Sequence, residues 1–586
     1  MNHASSSGFR SRASILSALR CIQLPVLLLL LFFPGSLTAS AAHQLQVELV
    51  DELDCLYPDR IPAESQGITR LDVPRGSIGA VHLAVHGHDP DQPITVAARS
   101  TSGRTVDLFH LRAVPVEENT GLSGRTTQWD PDPNPHVVRS APFEVFEVLR
   151  PLEGGSFAPD SGGAIEVVRI ECTISPEARV VPDRLEITIG QGEQRVSVEL
   201  PLVLHDAVVA APGRETLCFT NWFGPARMTG WYGIERWSDE HWALLEDYAA
   251  LMHRTRQNVI EVPLHSFLTP EPGSDRWVLD TTRFDRYVEL FAPGGGWWLE
   301  GRHLASRPNA DWSSSELQLN FADRPIASSP EGKALVEALM GPLAQHLRER
   351  GWSERWLQHV ADEPTSTNAA AYTRLAEQVR ACLPGVRIMD ASMCTDLVGG
   401  IDVWCPQTRA YQEHQDFFDQ RVEAGDEVWI YSCLVPGGPW LNRLLDQERL
   451  RPVLVGWAAS RDGVTGYLHW GYNKWQADPY EQSVVDHPQA PGTTNKLPAG
   501  DTHVVYPRED GRPGVHSGIR LEAHRIGLED HALLEVVRAR DPRAADALIA
   551  RLFTGYDDYQ SEPASYRSVR LDLITAAAKN KAPRVE

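Results

Sequence analysis

The stretch EGKALVEALMGPLAQHLRERGWSERWLQHVADEPTSTNAAAYTRLAEQVRAC (Glu331–Cys382) decides the fold. Apolar residues recur at helical spacing from Glu331 to Arg350, and the same spacing resumes from Thr367 to Cys382. Between them, RWLQHVADEP (Arg355–Pro364) is an apolar run of strand length that stops at a proline. Helix, buried strand, helix is the repeating unit of a parallel sheet.

The unit continues in both directions. Upstream lie LCFTNW (Leu217–Trp222), a helix over Ser238–Arg256 with Ser238 as N-cap, NVIEVPLH (Asn258–His265) and GGWWLEG (Gly295–Gly301). Downstream lie RIMDAS (Arg387–Ser392), IDVWCPQ (Ile401–Gln407), a helix over Tyr411–Glu423, EVWIYSC (Glu427–Cys433), helical residues after Leu441, and VTGYLHWGYNKW (Val464–Trp475). About eight strands alternating with helices predict a (β/α)8, TIM-like barrel over 213–518. A doubly wound open sheet is the alternative. Against it, no glycine-rich phosphate loop follows the first strand, and Gly294–Gly296 precedes a strand and reads as a turn.

The flanks differ in character. From 43 to 212 short alternating runs separated by turn residues, such as AVHLAVHG, FEVFEVLRPL and RLEITIG, predict an N-terminal antiparallel β-sandwich. From 519 to 586 amphipathic helix is expected to pack on the barrel, and Tyr480–Pro513, rich in Pro, Gly and Asp, reads as loop. Residues 1–42 combine Arg10, Arg12 and Arg20, the apolar run Leu24–Phe33 and the small residues Ala39-Ser40-Ala41. That order is a secretory signal peptide, too short in its apolar part for a spanning helix. The expected location is secreted, periplasmic or cell-surface, with no membrane insertion after cleavage.

The chain of 586 residues carries a net charge of −23, and losing the leader makes it three charges more negative. That charge argues against nucleic acid or anionic membrane as the main partner. Seven cysteines follow the leader without zinc-like spacing, and an odd number leaves at least one thiol unpaired in the monomer. Cys218, Cys405 and Cys433 lie in apolar runs and read as small buried hydrophobes. No metal or cofactor is implied.

In a barrel the chemistry belongs at the C-terminal ends of the strands. There the sequence places Asn221, His265, Glu300 with Arg302 and His303, Asp362-Glu363, Trp404 and Gln407, Tyr431, and Trp470, Tyr472 and Trp475. Singly, each aromatic fits a core position as well as a sugar-stacking one. Glu300 and His265 equally fit ion-pair or capping roles. The acidic pair stands out, because neighbours on a regular strand point to opposite faces. Both can serve one ligand only where the strand becomes irregular, and Pro364 is expected to end the ladder and keep Glu363 extended. A solvated turn before the next helix is the competing reading. Paired carboxylates with aromatics point to glycoside hydrolysis. Separate acids normally flank the bond, whereas adjacent acids suit a sugar whose own 2-acetamido oxygen is the nucleophile.

HVADEP, GYLHWGYNKW and IRLEAHRIGLEDHALL resemble glycoside hydrolase family 123, over roughly 215–555. The resemblance implies an exo-acting retaining β-N-acetylgalactosaminidase, with a glycan as its partner. It implies Asp362 as the carboxylate that orients the acetamido group and Glu363 as general acid, then base. Trp470, Tyr472 and Trp475 would wall the sugar site, and Tyr431 would bond the acetamido carbonyl. Around GGGWWLEGRHLASRP the likeness is loose, where residues reading the sugar's C4 hydroxyl would lie. A barrel hydrolase acting on another glycan and a non-catalytic carbohydrate-binding protein are the rival readings.

Overall fold

The computed structural model describes residues 44–579 apart from 64, 66, 161 and 275. The expected signal peptide lies outside the described residues. The first 165 or so described residues form two five-stranded sheets. One runs in the order Gln46–Val50, Ile78–His86, Ile165–Thr173, Val106–Val116, Phe143–Pro151, and the other Leu71–Arg75, Gln194–Val208, Asp183–Gln191, Ile94–Ser100, Ser156–Phe157. Period-two patterning explains the pairing of the sheets: Leu185, Ile187 and Ile189 turn inward to meet Val81, Leu83 and Val85. The pairing departs from a purely antiparallel expectation at one place, where Leu71–Arg75 runs parallel to Gln194–Val208.

The strand Ile78–His86 is buried along most of its length on both faces. Its sheet's second face is covered too: Val50, Leu111, Ala113 and Phe146 pack towards Ile519, at the start of the helix Ile519–Arg538. Buried ion pairs cross the same junction, among them Arg520–Glu147 at 2.7 Å and Arg254–Glu171 at 2.6 Å.

The eight strands expected from the sequence form one parallel sheet: Cys218–Asn221, Val259–Val262, Trp298–Gly301, Trp356–Gln358, Arg387–Ser392, Val403–Pro406, Glu427–Tyr431 and Gly466–His469. From the second onward each pairs with the next in sequence, and the eighth pairs with the first. Only the first and second lack a ladder, so the barrel is nearly closed. Side-chain amides bridge that seam: Asn258 Oδ1 accepts from Phe219 N (2.8 Å) and Gln257 Nε2 donates to Asn221 O (3.2 Å). Inside, Val259, Leu357, Met389, Val403, Cys405, Trp429 and Leu468 share the core.

The helices obey their sequence signals. Ser238 caps Asp239–Arg254 by accepting from His241 N, and Ser329 caps Pro330–Glu349 through Gly332 N. Helix Ile519–Arg538 departs from amphipathic expectation, being buried on nearly every side between the β-sheets, Pro563–Ala578 and Leu450–Asp462. Its crossing with Leu450–Asp462 is close enough that a Cβ at Gly456 would lie 2.0 Å from Gly527 O, so only glycine fits. Among the described residues no helix is long and apolar enough to cross a membrane. Cys218, Cys405 and Cys433 are buried, and the seven described cysteines are free thiols.

Candidate active site

The fourth strand is shorter than its apolar run. After Gln358 the backbone N–H groups of Val360 and Ala361 donate to Asp390 Oδ2 (2.8 and 3.3 Å). A side chain of the fifth strand thus replaces the ladder, and the chain is free to turn. Glu363 then takes a left-handed backbone conformation, φ +47°, where an extended one was expected from Pro364. The clash with proline chiefly disfavours the right-handed helical region, which leaves this alternative open. A non-glycine residue at positive φ is uncommon and strained, so the surroundings must hold it. Arg307 does so, donating through both terminal nitrogens to the carbonyls of Asp362 (3.2 Å) and Glu363.

The consequence is that both carboxylates line one pocket of about 310 Å³ at the C-terminal end of the barrel. Trp222, Tyr431, Cys433 and Trp470 form its barrel side. Arg307 and Trp312, stacked at 3.8 Å, form one outer wall, and His487, Pro488, Gln489 and Leu497 form another. The second wall comes from the 480–513 segment, whose short strands Val485–Asp486 and Lys496–Leu497 make a hairpin where loop was expected.

Glu363 is half-buried and accepts from Tyr431 Oη at 2.7 Å. Burial, reinforced by the negative charge of Asp362, pushes its carboxyl up to about 7 against the opposing pull of Tyr431, Arg307 and Arg125. It is therefore a carboxylic acid that keeps its proton close to neutrality. Asp362 is exposed to the pocket.

Beneath the pair lies a buried charge relay. His359 Nε2 is 2.5 Å from Glu300 Oε1, and its Nδ1 is 2.8 Å from Asp390 Oδ1. Burial would lower the imidazole pKa, but Glu300 and Asp390 reverse the sign and carry it to about 10. Glu300 also accepts from Trp222 Nε1 (2.6 Å) and Thr220 Oγ1 (2.8 Å). Burial would raise its pKa; His359 and these two donors bring it below the ordinary value instead. His303 Nε2 lies 3.2 Å from Asp390 Oδ1 and 3.8 Å from Asp362 Oδ1, so the relay reaches the acidic pair.

Among the described residues two groups have ligand atoms close enough together for a metal, His303–His359–Asp390 and His110–Asp160–Glu166. In the first, both His359 nitrogens bond carboxylates as an imidazolium. In the second, His110 is held by Glu166 (2.8 Å) and Arg150 (2.9 Å).

Replacing His359 with Ala would leave Glu300 and Asp390 buried without their shared cation. We expect a loss of about 3–5 kcal/mol in stability, read from urea unfolding. Since the folded pKa of about 10 exceeds the ordinary 6.5, the stabilisation is complete below 6.5. It fades as pH rises through 10, and the variant should lack that decline. A loss below about 1 kcal/mol would show that the triad does not hold the strand end.

Of the residues expected at the rim, Asp362, Glu363, Tyr431 and Trp470 line the pocket, and Glu300 and His303 lie under it. Asn221 is buried in the seam with Gln257 and Arg443. Trp404 faces the helices, where Nε1 donates to Asp426 (2.9 Å). Tyr472 packs on Phe223 and Tyr248, and Trp475 donates to Val505 O (2.9 Å) and packs on Trp231. These four are away from the pocket. His265 is exposed in a short turn beyond the second strand, and Arg302 pairs with Glu261 at 2.8 Å. Gln407 forms an isolated bridge with Tyr431.

A barrel with two carboxylates in a tryptophan-walled pocket at its C-terminal rim has the make-up of a glycoside hydrolase. The model of the glycoside hydrolase 123 catalytic domain matches residues 222–537, more than half of the chain. The chain belongs to glycoside hydrolase family 123. Among solved structures, a family 123 glycoside hydrolase from Clostridium perfringens, described in connection with glycolipid glycan hydrolysis, superposes with a TM-score of 0.65 at 13% identity. The match covers 91% of this chain and 97% of that one. The β-glucuronidase of Parabacteroides merdae gives 0.29 at 10% identity over 79% of this chain and 50% of that one. The endo-β-1,4-mannanase of Thermotoga petrophila gives 0.34 at 9% over 55% and 77%. No curated protein gives a significant sequence match.

Proposed function

We propose that this protein is an exported exo-glycosidase that removes terminal β-linked N-acetylhexosamine, with N-acetylgalactosamine as the preferred sugar, by retaining, substrate-assisted catalysis. The observation that carries this reading is the left-handed turn at Glu363, which puts two adjacent carboxylates in one pocket. The acetamido oxygen attacks the anomeric carbon as the glycosidic bond breaks, while Glu363 gives its proton to the departing oxygen. Asp362 accepts from the acetamido N–H and stabilises the positive charge that develops on the cyclic intermediate. Glu363, now a carboxylate, takes a proton from the water that opens the ring. Trp470 and Trp222 supply the apolar faces against which a sugar stacks. The galacto preference rests on family kinship, and export rests on the leader-like composition of 1–42.

A panel of chromogenic β-N-acetylgalactosaminide, β-N-acetylglucosaminide, β-galactoside and β-glucoside tests it. Turnover confined to the acetamido sugars, fastest on the galacto form, is expected. Turnover of only the sugars without an acetamido group would overturn the mechanism. Glycan binding without any turnover would favour a binding protein.

A further inference from the structure

The N-terminal β-rich region contributes to the rim of the pocket. Its segment between the strands Val106–Val116 and Phe143–Pro151 reaches over the barrel: Asp446 accepts from Thr120 N and Oγ1, and Glu117 accepts from Ser483. At its tip, Arg125 N donates to Leu434 O at 2.7 Å, and Leu434 lines the pocket. Arg125 Nε donates to Asn495 Oδ1 at 3.0 Å, on the hairpin that also supplies the pocket residue His487. The guanidinium stacks 4.9 Å from the centre of the exposed Trp129 ring.

Arg125 is half-buried, yet among the described residues it has no carboxylate at ion-pair distance and its two terminal nitrogens have no hydrogen-bond partner. This is unusual in a chain with a net charge of −23, where most half-buried arginines are paired. A positive charge fixed through Nε, with both terminal nitrogens left to donate, suits a carboxylate or sulfate. The stacked indole beside it offers a face for a sugar ring.

We propose that Arg125 and Trp129 form an outer subsite that reads a negatively charged group, a carboxylate or a sulfate ester, on the sugar to which the released residue is attached. The assignment rests on the exo-glycosidase reading above. At long range the acidic surface repels such a glycan, so a local cation at the rim is where discrimination is gained.

The test compares three synthetic disaccharides with a terminal β-N-acetylgalactosamine: one joined to glucuronic acid, one to 6-O-sulfoglucose and one to glucose. The wild type is expected to favour at least one charged substrate in kcat/KM, and added salt should erode the preference. In Arg125→Gln the ratio of charged to neutral kcat/KM should fall about tenfold, the scale of a lost hydrogen bond to a charged group. Arg125→Lys, which keeps the charge without the fork, should fall less. A residue that only braces the loop would lower all three substrates together, and an unchanged ratio would overturn the proposal. Preference for one charged disaccharide over the other identifies the group read. If acetamido sugars are not turned over at all, the proposed function fails. Calorimetric titration of methyl β-glucuronide, methyl 6-O-sulfo-β-glucoside and methyl β-glucoside into wild type and Arg125→Gln then decides the subsite. Binding of a charged glycoside weakened in the variant supports it; equal binding of all three overturns it.

Discussion

Glu363→Gln is expected to lower kcat/KM on a natural-type glycan about 10³-fold, while an aryl glycoside with an activated phenolate leaving group loses far less. The difference follows from what each leaving group needs. A sugar alkoxide is too basic to depart without a proton, which in the proposed reaction comes from Glu363. An activated phenolate departs unaided, so its bond breaking is indifferent to the acid. Glutamine can still accept the Tyr431 hydroxyl, which keeps the pocket wall in place. The wild-type profile should decline on the alkaline side of about pH 7, as the raised Glu363 pKa loses its proton, and the variant should lack that limb. Equal losses on both leaving groups, or full activity on the glycan, would remove Glu363 from the acid role.

The barrel was legible because a parallel strand buried on both faces is a short apolar run, and helices separate consecutive runs everywhere except between the fifth and sixth strands. The acidic pair was legible for a related reason: such a run seldom ends in two carboxylates. The cause of the pair's convergence was not. It depends on Asp390, thirty residues away in sequence, capturing the N–H groups that the ladder would have used. Nothing local to HVADEP announces this, and the local rule for a residue before proline pointed to an extended Glu363.

Other assignments turned on parity or distance. Trp404 alternates with Val403 and Cys405, which face the barrel interior, so it must face the helices. Tyr472 and Trp475 lie beyond the last rung, where strand periodicity no longer orients a side chain. His359 and Asp390 carried a signal, being ionisable residues inside apolar parallel strands, where charge is buried only if paired. Arg307, His487 and Arg125 carried none, because loops and a distant β-segment bring them to the rim.

Asp362→Asn separates the acetamido mechanism from the alternatives by changing two observables at once. Loss of the carboxylate removes the charge that balances the cyclic cation and leaves only a weaker, neutral amide oxygen to accept from the acetamido N–H. A fall of about 10²–10³-fold in kcat is expected, on aryl and glycan substrates alike, because the acetamido attack that Asp362 supports accompanies bond breaking for either leaving group. The second observable is the pH profile. Asp362 is the neighbour whose charge reinforces the burial of Glu363, so its neutralisation should move the alkaline limb from about 7 towards lower pH, nearer the ordinary glutamate value of 4.5. A general loss of folding would lower the rate without moving the limb. If the rate falls and the limb stays at about 7, the charge of Asp362 does not act on Glu363, and the pair is adjacent without being coupled. If the limb moves but the rate is nearly unchanged, Asp362 tunes the acid and its charge is not needed by the nucleophile. The introduced amide can still accept from the acetamido N–H, so a full rate in Asp362→Asn would show that the carboxylate's charge has no part in stabilising the cyclic cation.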